Sequence, residues 1–148
     1  MSGPRHVVDV PPPVDAGAPA APSPVPADFR ERFARVADRA PSHGHADRFD
    51  AVVWTNDVGR AAWDASGDFA DGAMLVEEAI EKTAKGDRAA GLLVMEKHAG
   101  TWRFVVVEPG GGVAKDSQEK ACAECHAQAP RDFVFRLPRD APRPAASP

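Results

Sequence analysis

Three short apolar runs, at residues 73–80, 91–97 and 102–108, dominate the middle of this 148-residue chain. Lys85-Gly86-Asp87 separates the first two and His98-Ala99-Gly100-Thr101 the second pair, while Pro109-Gly110-Gly111-Gly112 follows the third. β-Forming runs bounded by glycine-containing punctuation read as strand, turn, strand, turn, strand, the pattern of an antiparallel meander. In the third run Trp102, Phe104 and Val106 alternate with Arg103, Val105 and Val107. That strand is apolar on both faces for part of its length and is expected inside the sheet.

Helices are expected on either side of the meander. Phe29, Phe33, Val36, Ala37 and Ala40 recur at helical spacing, which predicts an amphipathic helix over residues 28–40. Asp28 and Glu31 fit a capping box at its start, and Pro41 would stop it. Residues 42–47 form a His/Gly loop, and residues 49–55 read as a strand or the lead into a helix. Asn56 can cap a helix over residues 58–65. Residues 116–128 return to helix, and residues 132–137 form a last extended segment. The expected class is α+β: an antiparallel sheet with N-terminal helices and a C-terminal helix that carries the cysteines.

Composition limits the folded part to about residues 28–137. Eight prolines fall within residues 1–27, and Pro138, Pro142, Pro144 and Pro148 mark the other end. Both segments read as disordered Pro-rich linker and tail, with too little apolar surface to offset the entropy of ordering. Net charge is −4 with the basic residues dispersed, so there is no nucleic-acid footprint. No apolar run approaches the roughly 20 residues of a membrane span. The first 27 residues also lack a basic start followed by an apolar block, so no signal peptide is read there.

The two cysteines of the chain, Cys122 and Cys125, are three positions apart, and His126 follows. On a helical turn both thiols share one face, where each can add to a vinyl group of a haem. The adjacent imidazole then lies under the iron. A thioredoxin-like redox pair would follow a strand in a βαβ unit, which the meander does not offer. A zinc site would have to recruit His43, His45 or His98 from elsewhere in the chain. The expected cofactor is one haem c, covalent through Cys122 and Cys125, with His126 on the iron. Attachment of this kind implies a periplasmic or other extracytoplasmic location. No Met follows His126, which separates the chain from small electron-transfer cytochromes, and the meander separates it from helical cytochromes c′.

From about residue 43 to 137 the chain resembles the cytochrome P-460 and cytochrome c′-beta superfamily. The resemblance rests on Asn56-Asp57, on Phe69-Ala70-Asp71-Gly72 before Ala73-Met74-Leu75-Val76-Glu77-Glu78, and on the Trp102 strand. Cys122 to His126 and then Asp132-Phe133-Val134-Phe135 complete it. It implies a β-sheet domain, often a homodimer, with a five-coordinate haem and an open distal face. P-460 enzymes oxidise hydroxylamine and carry a lysine cross-linked to the haem. The c′-beta proteins lack that bond and bind nitric oxide under a phenylalanine cap. The resemblance places the lysine before the Phe69 turn, yet no lysine precedes Lys82.

The chain therefore reads as c′-beta-like, taking up nitric oxide or a similar small ligand at an apolar distal face. Phe69 is the first choice for the cap and Phe49 the second. One alternative is P-460-type oxidation of hydroxylamine or nitric oxide, with electrons passed to a partner cytochrome. Another is electron transfer at a six-coordinate iron, with Met74, Met95 or a His as sixth ligand. His98 reads as a surface residue. His43 and His45 read as surface residues too, with the haem edge as their alternative. Trp54, Trp63 and Trp102 read as core or haem packing, and Asp116 and Glu119 as partners of a helix dipole.

Overall fold

The computed structural model describes residues 22–42, 44–45, 49–65, 67–116 and 120–136. Its centre is a six-stranded sheet in which each strand pairs antiparallel with the next in the chain. The expected meander is β3 (Met74–Thr83), β4 (Gly86–His98) and β5 (Thr101–Val107). Its strands run further than their apolar cores because two-residue turns close both hairpins. Thr83 pairs Gly86 and His98 pairs Thr101. The second turn has positive φ at both central residues, 49° at Ala99 and 77° at Gly100, the twist that suits a tight hairpin. β5 lies between β4 and β6 (Val113–Asp116), inside the sheet as expected.

Residues 49–55 form β2 (Phe49–Thr55), followed by α2 (Asp57–Trp63). Asn56 caps this helix by accepting the Gly59 N–H at 3.0 Å. It also accepts the Met74 N–H at 3.1 Å and donates to the Gly72 carbonyl at 2.8 Å, so one side chain joins α2 to the start of β3.

Four expectations are corrected. The helix predicted over residues 28–40 is only α1 (Phe29–Arg32), without a side-chain cap from Asp28, and Phe33 turns to extended backbone. The chain continues as β1 (Ala34–Pro41) along β2. Pairing there satisfies the exposed backbone edge of β2, which a helix cannot do, and Pro41 is tolerated because β1 is the outer strand. Second, Asp116 ends β6, and the motif helix α3 is Lys120–His126. Third, the segment expected to be extended over residues 132–137 opens with a turn. Arg131 and Val134 bridge around Asp132 and Phe133, whose φ values are 45° and 63°. Fourth, packing begins before residue 28: Pro22 bridges Gly112, and Val25 is buried beside Phe29. Most of the predicted linker (residues 1–21) and the tail (138–148) lie outside the described residues.

Register divides the side chains between two faces. Met74, Val76, Val94, Val105 and Val107 pack with Val25 and Phe29 on one. Leu75, Met95 and Phe104 form a row across β3, β4 and β5 on the other. Trp63 from α2, Phe69, Trp102 and Val134 pack against that row, with Cys122 and Ala123 of α3 at its margin. At Gly91 the chain has φ +112°, and a Cβ there would lie 2.3 Å from the Val107 carbonyl oxygen, so only glycine fits this strand crossing. Among the described residues no helix is long and apolar enough to cross a membrane.

Candidate haem site

α3 presents Cys122 half-buried and Cys125 exposed, and the pair forms no disulfide. The His126 ring lies 5.2 Å from that of Phe104 on the sheet and 5.5 Å from that of Phe135. Its Nδ1 is 2.7 Å from the Phe133 carbonyl oxygen. A carbonyl can only accept, so Nδ1 carries the proton and Nε2 keeps its lone pair. Burial is the largest influence on this imidazole and pushes its pKa down, towards the neutral form that binds metal.

The loop that offers the Phe133 carbonyl is held by Asp132. One carboxylate oxygen accepts from Lys97 Nζ at 2.7 Å and from the Phe69 N–H at 2.8 Å. Trp102 Nε1 donates to the other oxygen at 3.2 Å and to the Asp132 carbonyl at 2.9 Å. Burial alone would raise the Asp132 pKa, but these donors, Lys97 foremost, hold it below the ordinary value. Arg131 ties the same loop to the end of α2 through the Ala62 and Trp63 carbonyls, at 3.1 and 3.2 Å. The sheet, α2 and α3 thus all set where the His126 ring points.

Between α3 and the sheet lies a cavity lined chiefly by apolar side chains, among them Val53, Trp63, Leu75, Met95, Phe104 and Phe135. One wall is polar. Glu77 stands in the cross-strand row Val53–Glu77–Leu93–Val106, on the same sheet face as Leu75 and Met95. Ser42 donates to a Glu77 carboxylate oxygen, and His45 Nδ1 lies 2.8 Å from Ser42 Oγ and 3.4 Å from that carboxylate. Burial lowers the His45 pKa and raises that of Glu77, yet their mutual attraction outweighs it, so the imidazole shifts up and the carboxylate down.

The sequence-predicted residues separate clearly. Cys122, Cys125 and His126 meet at the cavity, joined by Met95 and Trp63. Phe69 is buried at 2 % exposure, edge-on to Trp102 at 5.6 Å, and does not line the cavity. Phe49 opens β2 opposite Glu81, also away from the lining. Met74 and Trp54 belong to the other sheet face, and His98 is exposed. Trp102 serves the Asp132 loop rather than the cavity. Asp116 sits at the end of β6; His43 and Glu119 lie outside the described residues. His45, expected at the surface with the haem edge as its alternative, lines the cavity instead; Ser42 and Glu77 were missed, Glu77 because it sits within a β-forming run 32 positions from His45 (77 − 45). Glu77 carried one signal, a charge on the alternation phase of apolar Leu75 and Ala79.

This donor set suits haem: two thiols on one turn, an imidazole with Nδ1 held and Nε2 available, and an apolar wall for a flat macrocycle. Among the described residues no three His, Cys, Asp or Glu side chains gather to hold a bare metal ion.

An antiparallel sheet with a C-terminal Cys-x-x-Cys-His helix over its apolar face defines a haem c cytochrome built on β-structure. The Cytochrome P460 family model matches residues 26–136, and the chain belongs to that family. No curated protein matches the sequence.

Proposed function

We propose that the chain carries one haem joined covalently to Cys122 and Cys125, with His126 on the iron, and takes up nitric oxide or a similarly small ligand there. The observation that carries this reading is the His126 ring, held at Nδ1 by the Phe133 carbonyl 2.7 Å away, beside a largely apolar cavity. In attachment each S–H adds across one vinyl C=C; a C–S bond forms and the hydrogen goes to the neighbouring carbon, with no oxidant required. Bound haem supplies an iron centre that accepts a small diatomic ligand. Phe104 and Phe135 fix the imidazole plane, and the apolar wall disfavours charged or strongly hydrated ligands. Extracytoplasmic location, where such attachment is expected, belongs to the same reading.

Among the described residues no lysine lines the cavity, which weighs against the cross-linked, hydroxylamine-oxidising alternative. Absorption spectra of the holoprotein, oxidised and reduced, with and without nitric oxide, test the proposal. An ordinary c-type spectrum that changes on nitric oxide addition supports it. Haem that binds carbon monoxide but ignores nitric oxide would sink it. A displaced absorption band with hydroxylamine turnover to an artificial electron acceptor would favour the enzyme instead.

A further inference from the structure

His45 stands apart from the rest of the cavity wall. Its ring centre lies 6.4 Å from that of His126, with the planes 33° apart. Both imidazoles are held at the same nitrogen. His126 Nδ1 donates to the Phe133 carbonyl, and His45 Nδ1 faces Ser42 Oγ and Glu77. Ser42 gives its one proton to Glu77, so it can only accept from His45, which places the second imidazole proton on Nδ1 as well. In its neutral form each ring therefore keeps Nε2 for another bond. A metal-binding histidine gives its other N–H to a carboxylate, a carbonyl or a group between, and both rings carry that support. Glu77, a carboxylate among Val53, Leu75 and Leu93, gains a reason for its place.

Distance separates two uses of His45. With metal–nitrogen bonds of about 2.0 Å, imidazoles on opposite sides of one ion hold their ring centres roughly 6 Å apart. An imidazole that hydrogen-bonded an iron-held diatomic would stand roughly 2 Å further off, because the ligand lies between. The observed spacing fits the first arrangement.

We infer that His45 is a second axial ligand, set by Ser42 and Glu77, which closes the iron opposite His126 at rest and must leave before a small ligand binds. The inference rests on the reading that His126 carries the iron, and it replaces the open distal face that the resemblance implies. Ligand uptake then becomes a competition with His45, and Glu77 sets its strength by making the imidazole more basic.

Ferric holoprotein and its variants test this by absorption and electron paramagnetic resonance. Wild type is expected to be low-spin and six-coordinate. His45→Ala should become high-spin, recover the low-spin signal when free imidazole is added, and bind carbon monoxide in the ferrous state on the order of tenfold faster. Glu77→Gln should stay low-spin yet also bind faster. A high-spin wild type, or a low-spin signal that survives His45→Ala, would overturn the inference while leaving attachment and nitric oxide binding intact. A chain that takes up no covalent haem would overturn it together with the reading beneath it.

Discussion

Lys97 Nζ lies 2.7 Å from Asp132 Oδ2, and the two side chains are only 9 % and 11 % exposed. Such a pair holds a loop in a conformation that the loop would not choose alone. Asp132 and Phe133 both have positive φ without being glycine, which needs surroundings that over-determine it. Breaking a buried pair by removing one partner costs roughly 3–5 kcal/mol, because the other charge stays buried and unpaired. Lys97→Met is expected to destabilise by about that amount in urea denaturation. In the holoprotein it should also shift the reduction potential, since the Phe133 carbonyl would no longer hold the imidazole at one angle. A Lys97→Met/Asp132→Leu double variant should lose less than the two single losses added.

The same carboxylate sets a pH dependence. Burial would raise the Asp132 pKa, but Lys97, the Phe69 N–H and Trp102 together depress it. A depressed folded-state pKa gives stability that is fully present above the unfolded value of about 3.9 and lost as pH falls through the lower folded value. The stability gap between wild type and Asp132→Asn should therefore be constant from pH 7 to about 5 and shrink below about 4. Urea titrations across that range read it directly. A gap that grew with acid would contradict the assignment.

Phe69 is core rather than cap. It is 2 % exposed, edge-on to Trp102, with the Arg131 guanidinium 6.0 Å from its ring centre. Phe69→Ala should cost roughly 3–5 kcal/mol of folding stability. Ligand affinity of the molecules that remain folded should not change. Phe104→Ala, whose ring faces His126, should alter both stability and the haem spectrum. Paired denaturation and ligand titration of the two variants separate the roles.

The legible parts of the fold were those specified by neighbours in sequence. The β3–β4–β5 meander followed from apolar runs and glycine turns, α2 from Asn56, and the cofactor from three side chains within five positions. The misread parts depend on partners far along the chain. Phe29 and Phe33 keep helical spacing, but both rings pack around β2: Phe29 meets Trp54 at 5.9 Å and Phe33 at 6.2 Å, while the chain after Phe33 pairs with β2. The open edge of β2 outweighed a weak local preference. Residues 132–137 look extended by composition, yet Asp132 and Phe133 turn. Their turn is set by Lys97 and Trp102, some 30 positions upstream. The polar wall needs Ser42, His45 and Glu77 together, which no local pattern announces.

The two cysteines should differ when each is replaced. Cys122 is half-buried and packs at the margin of the apolar core, whereas Cys125 is exposed. In the haem-free chain, Cys125→Ser should shift stability by no more than about 0.5 kcal/mol, as for most surface changes. Cys122→Ser puts a hydroxyl against apolar neighbours and should cost roughly 1 kcal/mol. In the haem-loaded protein the burial difference should disappear from the attachment readout. Either single variant keeps one thioether and should still stain for haem on a denaturing gel, and the double variant should not. Loss of stain in Cys125→Ser alone would mean that the exposed thiol forms the bond that matters, and that Cys122 serves the core.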